Sequence, residues 1–190
     1  MRPAFDALFD IDDAMADVVA QATQPALGAI KLAWWRERLE ELDQGKVPAE
    51  PRLRAVAVEL LPRRIAGHAL AELEQGWATL FQPDPDIGAV GDRGAKLFAM
   101  AAQLLGSSDR EVNAAGRAYA FQQVQRRDLL ASPLPENDFP DVAYPAALRP
   151  LTVLGALAAR DARRAGREPE ATPGRALAML RHRLSGRIRP

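Results

Sequence analysis

The sequence predicts an all-α fold, a single bundle of about seven or eight helices. Hydrophobic residues make up 48% of the chain and aromatic residues only 6%, with alanine and leucine abundant, a mixture that favours helices. Successive segments repeat apolar residues at spacings of three and four, whereas no segment alternates as a strand does and no fixed-period repeat occurs. At 190 residues the chain is expected to form one domain, residues 1–190, with a sizeable core.

The composition excludes several classes of site. The absence of cysteine rules out disulfides, thiolate zinc sites and a cysteine nucleophile, and two histidines are too few for an imidazole-rich metal centre. We find no phosphate-cradling glycine loop, dinucleotide fingerprint or nucleophile-elbow serine.

The zero net charge conceals a gradient along the chain. Residues 1–50 carry 10 acidic and 5 basic residues, whereas residues 149–190 carry 3 acidic and 10 basic ones. The arginine-rich C-terminal region lacks interleaved aromatics, so no nucleic-acid partner is expected. Two interpretations stay open for it: attraction between opposite ends of the folded chain, or contact with an anionic partner such as a membrane surface.

No apolar run approaches the ~18 residues that a membrane span needs, and the acidic N-terminus lacks a signal-peptide core. We therefore expect a cytoplasmic protein, with peripheral contact at the inner membrane as the alternative. The oligomeric state stays open.

The first predicted helix, 4–21, has an acidic face. Its spacing places Asp6, Asp10, Asp13 and Asp17 within about 60° of one another. The opposite side is predicted to make the core contact through Phe5, Leu8, Phe9, Met15 and Val19. The acidic row is either a solvated face or a site for Mg²⁺, which prefers carboxylate oxygens, with Asp13 and Asp17 as the candidate ligands.

The second predicted helix, 25–45, has the most regular pattern in the chain. Its apolar stripe consists of Gly28, Leu32, Trp35, Leu39 and Leu42. Trp34 lies about 100° away from that stripe, so Trp35 is expected in the core and Trp34 on another face. Arg36 is expected to pair with the aspartates of the first helix or with Glu40.

Six more predicted helices follow in order. Two are predicted at 52–61 and 63–81, separated by Pro62, and a third at 87–105. Ser108 and Glu111 have the spacing of a capping box that would open a helix reaching about Leu130. A proline-rich loop at about 131–144 precedes the last two helices, 145–165 and 173–185.

Three segments together resemble the squalene/phytoene synthase family over most of the chain. They are Ala7-Leu8-Phe9, then Gln24-Pro-Ala-Leu-Gly28 leading into Leu32-Ala-Trp-Trp-Arg-Glu37, and finally Arg93-Gly-Ala-Lys-Leu-Phe98 followed by Gly116-Arg-Ala-Tyr119. The Trp-Trp-Arg segment is the most specific of them. The resemblance implies the all-helical isoprenoid-synthase fold of the head-to-head prenyl transferases.

The resemblance also implies where a catalytic site would lie. Active members hold Mg²⁺ and prenyl diphosphate between two DxxxD motifs on facing helices. Here the first motif is present as Asp13-Ala-Met-Ala-Asp17, but the second is reduced to Asp128 beside two arginines, which would repel a metal ion. The candidate diphosphate or metal face comprises Asp10, Asp13, Asp17 and Asp128. The candidate pocket or partner surface comprises Trp34, Arg36, Tyr119 and Arg126.

The incomplete second motif favours a non-catalytic member of the family that acts by binding. Such a member resembles the branch that serves in assembly of respiratory complex I, so the partner would be a protein or a prenyl-diphosphate ligand. One alternative is an active, Mg²⁺-dependent transferase acting on farnesyl or geranylgeranyl diphosphate. The other is a helical scaffold with no ligand.

Overall fold

The computed structural model describes residues 1–130, 142–164 and 168–188. These residues form nine α-helices and two short 3₁₀ turns, with no strand among them. The helices are α1 Arg2–Ala20, α2 Pro25–Leu42, α3 Pro51–Glu59, α4 Gly67–Ala71, α5 Glu74–Ala78, α6 Ile87–Leu104, α7 Val112–Arg126, α8 Arg149–Ala162 and α9 Pro173–Ser185. The all-α prediction is confirmed. The predicted count of seven or eight holds when α4 and α5, five residues each, are counted as one interrupted helix.

The chain divides into two compact units, Met1–Arg93 and Gly94–Pro190. The first contains α1 to α5 and the second contains α7 to α9, while the boundary falls within α6. Each unit has its own buried core. The expectation of one domain over 1–190 stays a prediction.

In the first unit, α2 buries the stripe that its sequence predicts. The buried residues of this helix are Gly28, Leu32, Trp35, Leu39 and Leu42. On α1, Leu8, Met15 and Val19 are buried as predicted, whereas Phe5 and Phe9 are only half-buried. The 3.6-residue period therefore identified the inner face of both helices correctly.

The predicted continuous helix over 63–81 is wrong. Arg64 adopts a left-handed conformation with φ of 62°, and α4 begins only at Gly67. The backbone N–H groups of Gly67 and His68 donate to the Asp43 carboxylate, at 2.6 and 2.9 Å. Burial would raise the pKa of Asp43, but these bonds outweigh it and the pKa lies below its usual range. Asp43, which is distant in the sequence, therefore caps the start of α4, and the predicted helix over 63–81 is interrupted there.

In the second unit, glycines let the helices approach closely. A Cβ at Gly94 would overlap the backbone carbonyl of Gly116, and a Cβ at Gly116 would overlap that of Gly94. The backbones of α6 and α7 are therefore in direct contact. Gly155 of α8 lies against Ala115 of α7 in the same way.

The capping box predicted at Ser108 is wrong. The side chain of Ser107 accepts from the Asp109 N–H at 3.2 Å, that of Asp109 accepts from the Glu111 N–H at 2.9 Å, and α7 begins at Val112. Local side-chain turns thus replace the first helical turn. The last helix matches its predicted range, 173–185, whereas α8 is shorter than 145–165. The predicted proline-rich loop lies mainly outside the described residues.

Candidate functional site

The acidic row of α1 lies along the side opposite its buried stripe. Asp10 and Asp13 are exposed and Asp17 is partly exposed. Carboxylates four residues apart on one helical face are suitable hard ligands for Mg²⁺, which often takes one or two carboxylates and completes its shell with water and phosphate. Within the described part of the chain, no three acidic or histidine side chains gather into a metal-binding group. A metal site at Asp13 and Asp17 stays a prediction.

A different aspartate of α1, Asp12, is the one that lies in the interior. It is fully buried, and Nη1 of Arg93 lies 2.5 and 2.7 Å from its two carboxylate oxygens. The indole Nε1–H of Trp77 donates to the same carboxylate at 2.9 Å. The Arg93 guanidinium also stacks 3.8 Å from the centre of the Trp77 ring, in cation–π geometry. The Asp12 carboxylate is therefore already bound by the Arg93 guanidinium and the Trp77 indole.

Sequence analysis missed this ion pair, although a signal exists. Asp12 follows Leu8 by four residues and precedes Met15 by three, so it lies in the apolar stripe of α1. Arg93 occupies the equivalent position between Val90 and Leu97 on α6. One acid and one base, each inside an apolar stripe, indicate a buried pair because neither charge can be buried alone at an acceptable cost.

The two adjacent tryptophans face different environments, as predicted. Trp35 is 8% exposed and Trp34 is 41% exposed. Their rings meet edge to face, with centroids 5.1 Å apart and planes at 81°. Leu27 and Ile30, seven and four residues before Trp34, are also exposed, at 52% and 65%. These three side chains form the outer stripe of α2.

The charges on α2 are balanced. The helix carries three basic and three acidic residues, and Arg38 pairs with Glu41 at 2.9 Å. Arg36 is exposed, and the electrostatic partner that the structure gives it is Glu74. Burial raises the pKa of Glu74, and Arg36 opposes that rise. The expected pairing of Arg36 with the first-helix aspartates or Glu40 is therefore wrong.

In the second unit, Asp128 lies beyond the end of α7. It has φ of 53°, its N–H donates to the Gln125 carbonyl at 3.1 Å, and the Leu129 N–H donates to the Val124 carbonyl at 3.1 Å. This is a Schellman motif with aspartate at the left-handed position, where asparagine or glycine is more usual. The prediction that this helix reaches about Leu130 is wrong, because α7 ends at Arg126. A role for Asp128 as a ligand stays a prediction.

The other candidates of this unit take part in packing and ion pairs. Arg126 Nη2 lies 2.9 Å from Asp161 Oδ2, and its Nη1 lies 2.6 Å from the carboxylate of Glu170. Burial would raise the pKa of Asp161, but hydrogen bonds from Arg175, Arg126 and Gln122 outweigh it and hold the pKa below its usual range. Tyr119 is half-buried, with its ring 5.5 Å from that of Phe98.

A scan of protein-family models and searches of curated proteins and of solved structures give no match to this chain. Among the described helices, none has both the length and the apolar character needed to cross a membrane.

Proposed function

We propose that this chain is a non-catalytic squalene/phytoene-synthase-like protein with an assembly-type role, which acts by binding a protein partner. The observation that supports this most is the outer stripe of α2, because Leu27, Ile30 and Trp34 remain exposed on a helix whose opposite face is buried. The docking element of the partner would be an amphipathic helix, whose apolar face can pack along such a ridge.

Trp34 has the properties of a binding anchor. Tryptophan is among the residues most enriched at sites that dominate binding energy. The edge-to-face contact with the buried Trp35 restricts the orientation of the exposed indole, so less conformational freedom is lost when a partner covers it. Leu27 and Ile30 extend the apolar surface along the same side of the helix.

The balanced charge of α2 favours a protein over a lipid surface. With three acidic and three basic residues, the helix has no excess positive charge to attract anionic lipids. Interface rims between proteins commonly combine both charge signs around an apolar centre. The outer stripe of α2 and its surrounding charges fit that description.

The ion pairs support the non-catalytic part of the proposal. Asp161 and Glu170 neutralise Arg126, so this candidate pocket residue already has protein partners in the folded chain. In an active transferase, such charged side chains would instead bind the metal ion and the diphosphate.

Calorimetry with farnesyl thiolodiphosphate, with and without Mg²⁺, tests the non-catalytic assignment. We expect no Mg²⁺-dependent binding to the wild-type chain, and no change in the Asp13→Ala/Asp17→Ala variant. Mg²⁺-dependent binding that the double substitution abolishes would overturn the assignment in favour of an active prenyl transferase.

Photocrosslinking tests the docking face. A photoreactive residue in place of Ile30 is crosslinked in lysate to identify a candidate partner. That protein is then purified, and its binding to this chain is measured by titration. Trp34→Ala should weaken its binding by about 2 kcal/mol, or roughly thirtyfold in Kd. Val58→Ala, at a 67%-exposed position on α3, is the matched control and should leave binding unchanged. Equal effects of the two substitutions would contradict the proposal.

A further inference from the structure

We propose that the exposed face of α9 binds a membrane surface containing anionic phospholipids. This proposal concerns a different helix in the second unit and does not depend on the protein partner proposed for α2. It rests on three observations: an exposed leucine stripe, a buried polar face on the opposite side of the same helix, and a one-sided basic charge.

The leucine stripe of α9 is exposed along its length. Leu177, Leu180 and Leu184 are 48%, 52% and 73% exposed. Their spacings of three and four place them within about 60° on one helical face. These three side chains form the outer stripe of α9.

The inner face of α9 is polar. Arg175 is 5% exposed, and its Nη1 lies 2.7 Å from both carboxylate oxygens of Asp161 on α8. His182 is 2% exposed, and its ring lies 2.8 Å from the Thr152 hydroxyl. A helix of a globular protein ordinarily buries its leucines, whereas α9 exposes three leucines and buries Arg175 and His182.

Contacts at the C-terminal end fix this orientation. Arg149 donates to the carbonyls of Arg183 and Leu184, at 2.9 and 3.2 Å. Gly186 ends the helix in a left-handed conformation, and its carbonyl accepts from the Tyr144 N–H at 2.9 Å. A rotation of α9 that turned the leucines inward would break these hydrogen bonds. It would also separate Arg175 from Asp161 and leave both charges to water. The outer stripe is therefore exposed as part of the folded structure.

The charge around the outer stripe of α9 has one sign. Residues 173–188 include four arginines and no acidic residue. Arg181 and Arg183 are exposed and lie on opposite sides of the leucines. Basic side chains beside an apolar helical face are typical of helices that lie in the membrane interface, where the long side chains reach the headgroups.

A cleft of about 760 Å³ adjoins the stripe on one side. It is lined by Arg181 of α9, by Arg163 just after α8 and by Arg160 of α8, which is paired with Glu168 at 2.9 Å. Leu177 and Leu184 contribute its apolar wall. The exposed guanidinium of Arg181 can bind the phosphate groups of anionic lipids, and acyl chains can pack against the leucines. Two copies of this chain would instead bring like charges together, which disfavours a homodimer through this face.

Flotation of the full chain with lipid vesicles tests the proposal. Vesicles of phosphatidylcholine with phosphatidylglycerol should carry the protein upward, and vesicles of phosphatidylcholine alone should not. Leu180→Ser/Leu184→Ser should reduce binding about tenfold through lost apolar contact. Arg181→Gln/Arg183→Gln should reduce it about fivefold for each arginine, and added salt should weaken wild-type binding.

The matched control is Leu27→Ser/Ile30→Ser, which alters the outer stripe of α2 and should leave flotation unchanged. Absence of wild-type binding, or equal binding to both vesicle types, would overturn the proposal. Displacement by inorganic phosphate at constant ionic strength, together with indifference to the leucine substitutions, would instead assign a discrete anion site. All four substituted α9 side chains are exposed, so the thermal melts of both variants should match that of the wild type. If one variant fails to fold, the other still tests the proposal.

Discussion

Helices α2 and α9 both expose an apolar stripe, but their buried faces differ. The inner face of α2 is apolar, with Leu32, Trp35 and Leu39 among its buried side chains. The buried side chains of α9 are instead Arg175 and His182, which bond to Asp161 and Thr152 of α8. On α2 the exposed apolar residues are additional to a conventional core contact, whereas on α9 they are the main apolar face of the helix.

The surrounding charge distinguishes the two exposed stripes. That of α2 has equal numbers of acidic and basic residues around it, whereas that of α9 has arginines alone. An exposed apolar stripe indicates an interaction surface, and the charge beside it indicates which class of partner that surface binds. This difference is why we assign a protein partner to α2 and an anionic lipid surface to α9.

The largest expected effect is on the inner face of α2. Trp35→Ala should lower the free energy of unfolding by about 3–5 kcal/mol, because it removes a buried indole and leaves a cavity. Trp34→Ala should cost less than about 1 kcal/mol, because that side chain is 41% exposed and lies outside the core. Chemical denaturation measures both. Equal losses would remove the distinction between the two tryptophans.

The next effect concerns the polar inner face of α9. Arg175→Met leaves Asp161 with Arg126 as its remaining ion-pair partner and should cost about 3 kcal/mol, the lower end for a broken buried pair. Arg181→Met, an exposed arginine of the same helix, is the control and should stay within about 0.5 kcal/mol of wild type. If Arg175→Met left the free energy of unfolding unchanged, the stability of the fold would not depend on the polar contacts of α9.

A smaller effect should appear as a dependence on pH. The carbonyl of Arg187 can only accept, so Nδ1 of His182 carries the proton of that bond, while Nε2 lies 2.8 Å from the Thr152 hydroxyl. Burial, aided by the nearby Arg149, lowers the pKa of His182 below 6.5 despite the bond to Arg187. The unfolded chain therefore binds the proton more readily, so the contribution to stability is complete above pH 6.5 and is lost as the pH falls toward the folded-state pKa.

Thermal melts across that pH range should show this decline in the wild type. His182→Gln lacks the titrating group, so its stability should fall less steeply between pH 6.5 and lower values. Parallel curves for the two proteins would contradict the role given to His182.

Sequence periodicity predicted the parts of the fold that depend on local pattern. It identified the buried stripe of α2 and the opposite environments of Trp34 and Trp35, because both follow from 100° per residue. It also gave the bounds of α9. The break within 63–81 could not be predicted, because Asp43, which caps α4, is 24 residues from Gly67.

The candidate site was less predictable than the fold. The regular spacing of Asp10, Asp13 and Asp17 drew attention to the exposed row, while the buried Asp12 depends on Arg93, 81 residues away. On α9, the leucine pattern by itself would indicate a core face. Only the contacts of Arg175 and His182 show that the helix is turned the other way.

Fluorescence from single labelled positions tests the contrast between the two stripes most directly. Because the chain has no cysteine, Ile30→Cys and Leu180→Cys each provide one attachment point for an environment-sensitive dye. With vesicles containing phosphatidylglycerol, the dye at position 180 should shift to the blue and become protected from iodide, while the dye at position 30 stays unchanged. A shift at position 30, or none at position 180, would contradict the assignment of different partners to α2 and α9.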